Sequence, residues 1–548
     1  MFTVKHNETN LKFEKEIRLK DIIEDKDYFY KVATVNNRLR ELSYKFEYDA
    51  DVEFLSLDNK EAVIVYETSL RYLIAMAMQN IYPKYKLSFN YSVSRSLYVE
   101  ITNIKNHSGM IRIIRELEKE MKRLIELDIP FERKTVNIQE AIKFYEEQEL
   151  TDRIDLMKYR PEETVHFYEC DGYTNYMYGY MVPSTGYLNL FNLRPYFPGF
   201  LVQYPRSEEN QKIPEFEDAP KYSKSLKDAS KWAKTCDAHY ISDMNKHASQ
   251  DSITEFVHMC ETKHSHMLKE IGDQINNNKD DIRLIAIAGP SSSGKTTFST
   301  RLRIELMTHG LKPITISLDD YYLDREQLTP NEFGEVDLEH INTLDIELFN
   351  QNMLDLINGE EVNIPIFDFK EKARSGYRKL QISNDNPIII EGIHALNEML
   401  TSMIPKHQKF KIYISPILQI NIDDHNPINN TNIRLLRRIV RDKKFRNSSA
   451  IRTISMWDSV RSGEFRWIYP HQEGADYIFN SGLTYEMCVM KKYALPTLKE
   501  IPSDSEYYIT ANRLIKFIKY FVDIEDEQVP CNSLLREFIG GSCFHEEE

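Results

Sequence analysis

Leu284-Ile285-Ala286-Ile287-Ala288-Gly289-Pro290-Ser291-Ser292-Ser293-Gly294-Lys295-Thr296 joins an unbroken apolar run to a glycine-bounded loop ending in lysine and threonine. Five apolar residues in a row read as a strand buried on both faces, and the helical spacing of Thr297 to Met307, stopped by Gly310, reads as the helix that follows. Strand, loop and helix in this order make a phosphate cradle. The two glycines let backbone N–H groups wrap a polyphosphate, and the helix start presents the positive end of its dipole. Lys295 reaches the outer phosphates, and the Thr296 hydroxyl is placed to ligate Mg²⁺. A ligand-free serine-rich turn would need neither the strand before it nor the helix after it.

From there the domain extends in both directions. Ile314 to Leu318 reads as a second buried strand delivering Asp319 and Asp320 to its carboxyl end, and Pro387 to Ile390 as a third ending at Glu391. A carboxylate at the first can take a proton, and one at the second can hold Mg²⁺ beside Thr296. The run Arg434 to Asp442 alternates arginine with apolar residues at helical spacing. It places Arg438 and Arg441 on one face, with Arg446 one turn later, and this suits a phosphate-gripping lid. Strands alternating with helices favour a parallel sheet covered by helices, an α/β fold.

The chain of 548 residues is too long for one core and divides into several units. Residues 1–75 read as a small α+β unit with strands at 28–35 and 50–57 around Asn36-Asn37. Residues 76–205 read as a second α+β unit with an aromatic stretch from Tyr168 to Tyr204. Residues 206–280 read as a helical linker with a hinge near 276–281, residues 281–500 as the phosphate-loop domain, and 501–548 as a C-terminal helix and tail. No apolar run is long enough to cross a bilayer and Met1 to His6 lacks a secretory pattern, so a cytoplasmic protein is expected. Six scattered cysteines fit free thiols. Cys260 and His264, one helical turn apart beside His258 and His266, have a spacing compatible with metal, although a polar helix face is the ordinary explanation. A formal charge of −15 opposes general nucleic-acid binding, so anionic ligands must be caught by local groups.

Five motifs in succession resemble the uridine kinase and phosphoribulokinase family: Gly289 to Thr296, Ser317 to Tyr322, Pro365 to Phe369, Ile390 to Ile393, and Arg437 to Asp442. The resemblance implies ATP or another nucleoside triphosphate held by Gly289, Ser291, Ser292, Ser293, Gly294, Lys295, Thr296, Thr297 and Arg446. It implies Asp319 as the base, Lys295, Arg438 and Arg441 as catalytic cations, and Mg²⁺ at Thr296, Glu391 and Asp319. It also implies acceptor contacts from Tyr322, Phe367, Phe369, Lys372 and Arg374. Phe367 stands where the family usually has tyrosine, Lys372 where it has histidine, and Ser448 where a further lid arginine is expected. The resemblance implies a kinase of a nucleoside, uridine or cytidine first, while a lost phenol and an ammonium in place of imidazole change polar readout and leave a sugar or other small alcohol as the alternative acceptor. The tail from Asn532 to Ser542 resembles the ending of a longer branch of that family.

The N-terminal half resembles the β-grasp module and editing domain of threonyl-tRNA synthetases, through Val35 to Leu42, Asp51 to Leu55, Thr68 to Leu73, Leu127 to Arg133 and Val182 to Gly186. The positions of that domain's histidine and cysteine groups hold Thr68, Tyr72, Met177 and Met181, none of which can act as base or bind a hard metal. An editing-type fold without deacylase activity is expected. A tRNA-related ancestry follows for this half, and a nucleotide-sensing RNA-binding protein is the reading that would dispense with transfer altogether. Oligomeric state and donor selectivity leave no mark in the sequence.

Overall fold

The computed structural model describes residues 1–23, 28–104, 106–328, 339–368, 371, 373–383 and 386–544, with nothing described of the Arg325 side chain. Phe369 and Lys372 therefore lie outside the described residues.

The apolar run Leu284–Ala288 is the central strand of a five-stranded sheet, in the order Ile314–Ser317, Ile388–Glu391, Leu284–Ala288, Lys409–Ser415, Tyr477–Asn480. All four pairings are parallel. The strand buries both faces, which is why it has no polar alternation. Ile285 and Ile287 enter one core with Phe298, Leu302 and Leu306, while Leu284, Ala286 and Ala288 enter another with Phe349, Met353 and Ile390. Each isoleucine so buried is worth about 1.5–3 kcal/mol. Glu391 is aligned with Ser317 on one side and Ile287 on the other, so the three chain ends carrying Asp319, Glu391 and Gly289 emerge side by side.

The expected linker 206–280 contains helices Pro220–Thr235, Ile241–Ala248 and Ile253–Asn277. The last of these ends at Asn277, at the start of the anticipated hinge, and its Val257, Leu268 and Ile271 pack into the same core as the phosphate-loop helix Lys295–Thr308. The tail residues Leu534, Leu535, Phe538 and Ile539 join that core. Ala141, Tyr145, Val165 and Phe167 from the N-terminal half do too, so the apolar interior is continuous between the halves.

In the N-terminal half, Phe2–His6, Thr9–Phe13, Val32–Val35, Arg38–Arg40 and Ala50–Leu55 form a mixed sheet in which Phe2–His6 and Ala50–Leu55 run parallel. Asn36 and Asn37, with φ of 48° and 58°, make the hairpin turn their sequence requires. The helix Lys60–Ile81 crosses position 75 without a break, and residues on both sides of it share one core with the antiparallel sheet built on Leu87–Val93 and Ser96–Ile101. No helix among the described residues is long and apolar enough to cross a membrane.

Candidate active site

Gly289 sits where a Cβ would collide with the Ile414 carbonyl, and Gly294 has φ of 87°. The two glycines are thus required by close approach and by handedness respectively. Between them Ser292 takes φ of 60°, and the hydroxyls of Ser292 and Ser293 are buried without a hydrogen-bond partner among the described residues. Buried unpaired hydroxyls are uncommon, and inside a loop of this shape they mark a place for a polar ligand. Lys295 turns back on its own loop, its Nζ donating to the carbonyls of Gly289 at 3.0 Å and Pro290 at 3.3 Å.

Acids surround this lysine. The Thr296 hydroxyl donates to Glu391 Oε1 at 3.4 Å, and Glu391 Oε2 is buried without a partner among the described residues. Burial pushes the Glu391 carboxyl up to about 7, with Lys295 opposing the shift and Glu537 and Asp319 adding to it. Burial raises Asp319 as well, against the pull of Lys295 and Arg446. It lowers the Lys295 ammonium, against Glu391, Glu537 and Asp319. The Thr296–Glu391 bond and the adjacent strand ends bring Thr296, Glu391 and Asp319 to the loop that carries Lys295, where Lys295, Asp319 and Glu391 act on one another's charge. Asp320 takes a different direction, pairing with Arg378 at 3.2 Å on the hairpin Val362–Asp368/Ala373–Leu380.

The arginine helix Asn430–Phe445 is anchored along most of its length. Arg437 is fully buried and donates to Glu486 Oε1 at 2.9 Å and to the Ser481 carbonyl at 2.9 Å; Arg434 is bidentate to the buried Glu464. Both of these arginines also meet the loop, Arg434 donating to the Ser291 carbonyl at 3.2 Å and Arg437 to the Ser292 carbonyl at 3.4 Å. Arg438 donates to Ser291 Oγ at 2.9 Å. Asp442, buried and given no role by sequence, gathers Arg438, Arg441 and Arg446 at 3.3, 2.8 and 3.8 Å. On the acceptor side the Tyr322 and Phe367 rings lie 5.6 Å apart, whereas the Arg374 guanidinium is held by Asp345 at 3.0 Å and by the Tyr322 carbonyl at 3.2 Å. Cys260 and His264 point into the core and His258 and His266 away from it; the His264 ring bonds the Gly482 carbonyl, and burial pushes it down to about 3.

Sequence reasoning missed the tail. Glu537 Oε2 accepts from the Thr297 backbone N–H at 3.1 Å, and the Leu534 side chain fills the space a Cβ on Gly294 would need. The acidic residue followed by an apolar pair in the tail gave no sign of this, because the contact joins positions 240 residues apart.

Residues 284–487 match the model of the Phosphoribulokinase / Uridine kinase family. A uridine kinase of Staphylococcus aureus (strain JH9) is 32% identical over 201 residues, which is 36% of this chain and 87% of that protein. Among solved structures, a putative fructose transport system kinase from Silicibacter sp. TM1040 aligns at 18% identity, covering 39% of this chain and 98% of that one, with a TM-score of 0.29. A possible uridine kinase from Bacillus stearothermophilus aligns at 17%, covering 36% and 89%, with a TM-score of 0.25. With the cradle, the strand-end acids and a relative of this identity matched over most of its length, the chain belongs to the phosphoribulokinase/uridine kinase family and is a phosphotransferase acting on an alcohol group.

Proposed function

We propose that this chain moves the terminal phosphoryl group of ATP to the hydroxyl of a pyrimidine nucleoside, with Mg²⁺ bound. The observation that carries the reading is the meeting of Lys295, Thr296, Asp319 and Glu391 at adjacent strand ends. The partnerless Glu391 Oε2 beside the Thr296 hydroxyl fits a hard divalent cation, with Asp319 near enough to share it. Mg²⁺ there would neutralise charge on the transferring phosphates. Asp319 takes the proton of the attacking hydroxyl and orients it. Its raised pKa brings the carboxylate nearer the operating pH, as a general base needs. Lys295 and the loop amides hold the donor; Arg438, Arg441 and Arg446 close over it, exchanging Asp442 for phosphate oxygens. Tyr322, Phe367, Phe369, Lys372 and Arg374 form the acceptor side.

A second reading keeps the transfer and replaces the nucleoside by a sugar or other small alcohol. It is favoured by Phe367, whose ring offers Tyr322 an apolar neighbour and no hydroxyl for a base edge. The N-terminal half belongs in either reading as a β-grasp-like and editing-like unit without hydrolytic chemistry. Thr68 spends its hydroxyl on the Ile64 carbonyl, Tyr72 on the carbonyls of Tyr168 and Tyr173, and Met177 and Met181 are buried. The proposed site of action is the cytoplasm.

Assays of the full chain with Mg-ATP against uridine, cytidine, purine nucleosides, sugars and small hydroxylated metabolites test this. Uridine or cytidine should exceed the others at least tenfold in kcat/KM. A sugar in that place supports the second reading, and no phosphorylated product with any acceptor rejects both.

A further inference from the structure

A cavity of about 1300 Å³ opens between the N-terminal half and the helix Tyr508–Ile518. It is distinct from the transfer site, since none of Gly289 to Thr297, Asp319 or Glu391 lines it. Cations collect at one end. Arg40 donates to the Tyr180 hydroxyl at 3.3 Å, and the Arg133 guanidinium and Lys516 ammonium lie 5.2 and 5.9 Å from the Tyr180 ring. Arg160 donates to the hydroxyls of Tyr520 at 2.7 Å and Tyr176 at 3.3 Å.

Acids do not balance them. Glu41 lies 4.0 Å from Arg133, but it is buried, already accepts from the Tyr168 hydroxyl and the Met181 N–H, and burial pushes it toward its neutral form. Glu162 lies 3.7 Å from Arg160. Arg40 and Lys516 form no ion pair with a described residue, and Arg40 Nε is buried without a hydrogen-bond partner among them. The strain of this crowding is visible in its neighbours. Burial, then Arg133 and Arg40, lower the Lys516 ammonium. Burial, then Arg133, Arg160 and Lys516, push the His166 ring down to about 4. Ring faces recover only about 0.5–2 kcal/mol per cation. The cavity carries further acids, but Glu61, Glu67 and Glu209 pair with Arg513, Arg71 and Arg95, so the excess of cations at the Tyr180 end forms a site for an anion in a chain of net charge −15.

We propose that this cavity binds a nucleoside phosphate, its phosphate among Arg40, Arg133, Arg160 and Lys516 and its ring along the tyrosine wall. A doubly charged phosphate meets several guanidiniums at once, which a carboxylate cannot do as well. The tyrosines offer flat faces for a base, and the volume is ample for a nucleotide. A long polyanion is disfavoured, because the cations lie within a cavity bounded by both halves of an acidic protein. Lys516 stands on a helix that packs on Glu486–Lys499, which packs in turn on the arginine helix, so the occupant would be linked to the transfer domain through packed helices.

The test is calorimetric titration of the full chain carrying Lys295→Ala, which silences the loop, with UMP, AMP and inorganic phosphate as probes. Native chain saturated with a non-hydrolysable triphosphate serves as the parallel preparation should that variant fold poorly. One site should remain, weakening at least tenfold in Arg133→Ala/Lys516→Ala, whose side chains line the cavity and can be removed without loss of melting temperature, and weakening with added salt. No binding at millimolar probe, equal affinity in the double variant, inorganic phosphate as tight as either nucleotide, or binding of tRNA alone would each overturn the proposal. Failure of the transfer reading would appear separately, as absent triphosphate binding by the native loop.

Discussion

The two anion-directed regions of this chain differ in how they balance charge. At the phosphate loop acids crowd the cations: Lys295 lies in the field of Glu391, Asp319 and Glu537, Asp442 pairs with Arg438, Arg441 and Arg446, and the neighbouring Arg437 pairs with the buried Glu486. In the cavity of the N-terminal half, Arg40 and Lys516 form no ion pair with a described residue, and Arg133 and Arg160 have one long pair each, at 4.0 and 3.7 Å. A centre that moves a phosphoryl group needs a proton acceptor and a metal-holding acid beside its cations, while a site that only holds an anion needs neither. The difference separates chemistry from retention within one molecule.

The sharpest way to break that contrast is to remove the acceptor of the proton. Asp319→Asn should lower kcat by about 10³-fold, within the usual range for a lost general base. Donor affinity should stay within about threefold and anion binding in the cavity should be unchanged, as read by steady-state rates and by calorimetry on the same preparation. A variant retaining a tenth of the native rate would remove Asp319 from the chemistry. Next in size is a stability effect. Arg437→Ala leaves Glu486 buried and uncompensated, and loss of one partner of such a pair costs about 3–5 kcal/mol. Denaturant unfolding should show that loss, whereas Arg133→Ala, at an exposed cation 4.0 Å from a Glu41 that burial already pushes toward its neutral form, should change stability by less than about 0.5 kcal/mol. Equal losses would mean that the cavity cations are structural.

Much of this contrast was legible in the chain and part was not, for a physical reason. The loop, its flanking strand and helix, and the acids at 319 and 391 are encoded locally, because each strand carries its functional group at its own end. Register then brings Ser317, Glu391 and Ile287 side by side. The arginine helix was legible as a helix, but its apolar spacing said nothing of which arginines are consumed by buried partners. Glu464 and Glu486 lie 30 and 49 residues beyond the arginines they hold. The cavity was not legible at all. Arg40, Arg133, Arg160 and Lys516 come from four separate elements, and only folding of the two halves on one another assembles them.

A smaller test uses the proton against the metal. Glu391 is pushed up to about 7 by burial, so below that pH the carboxyl carries a proton that a bound cation must displace. The sign is therefore fixed. Affinity for the magnesium–nucleotide complex should rise with pH, by about tenfold per unit below 7, and level off above it. Between pH 5.5 and 7 this amounts to about fifteenfold, and calorimetry in buffers of different ionisation enthalpy should register a proton released on binding. The Lys295→Ala chain probed with UMP should lack this dependence. A flat profile for the native loop would mean that Glu391 is not a ligand.

The smallest effect concerns Glu537, the one acid at the loop with no part in the transfer chemistry. Its carboxylate accepts from the Thr297 N–H, in the first turn of the loop helix, where a donor phosphate would be received. A phosphate there must displace the carboxylate and approach it as a like charge, so Glu537 opposes donor binding in a way no other residue of the site does. A hydrogen bond to a charged group is worth about 1.5–3 kcal/mol at full strength. Glu537 is only partly buried and water can replace it on the amide, so about 1 kcal/mol is the more realistic net effect, or about fivefold in affinity. Glu537→Ala should thus tighten donor binding about fivefold with kcat unchanged, and Glu537→Gln, which keeps the acceptor and removes the charge, should give about half that effect in free energy. Weaker donor binding in the alanine variant would reverse the assignment, making the tail part of the donor pocket and the phosphate loop as unbalanced, in its bound state, as the cavity across the molecule.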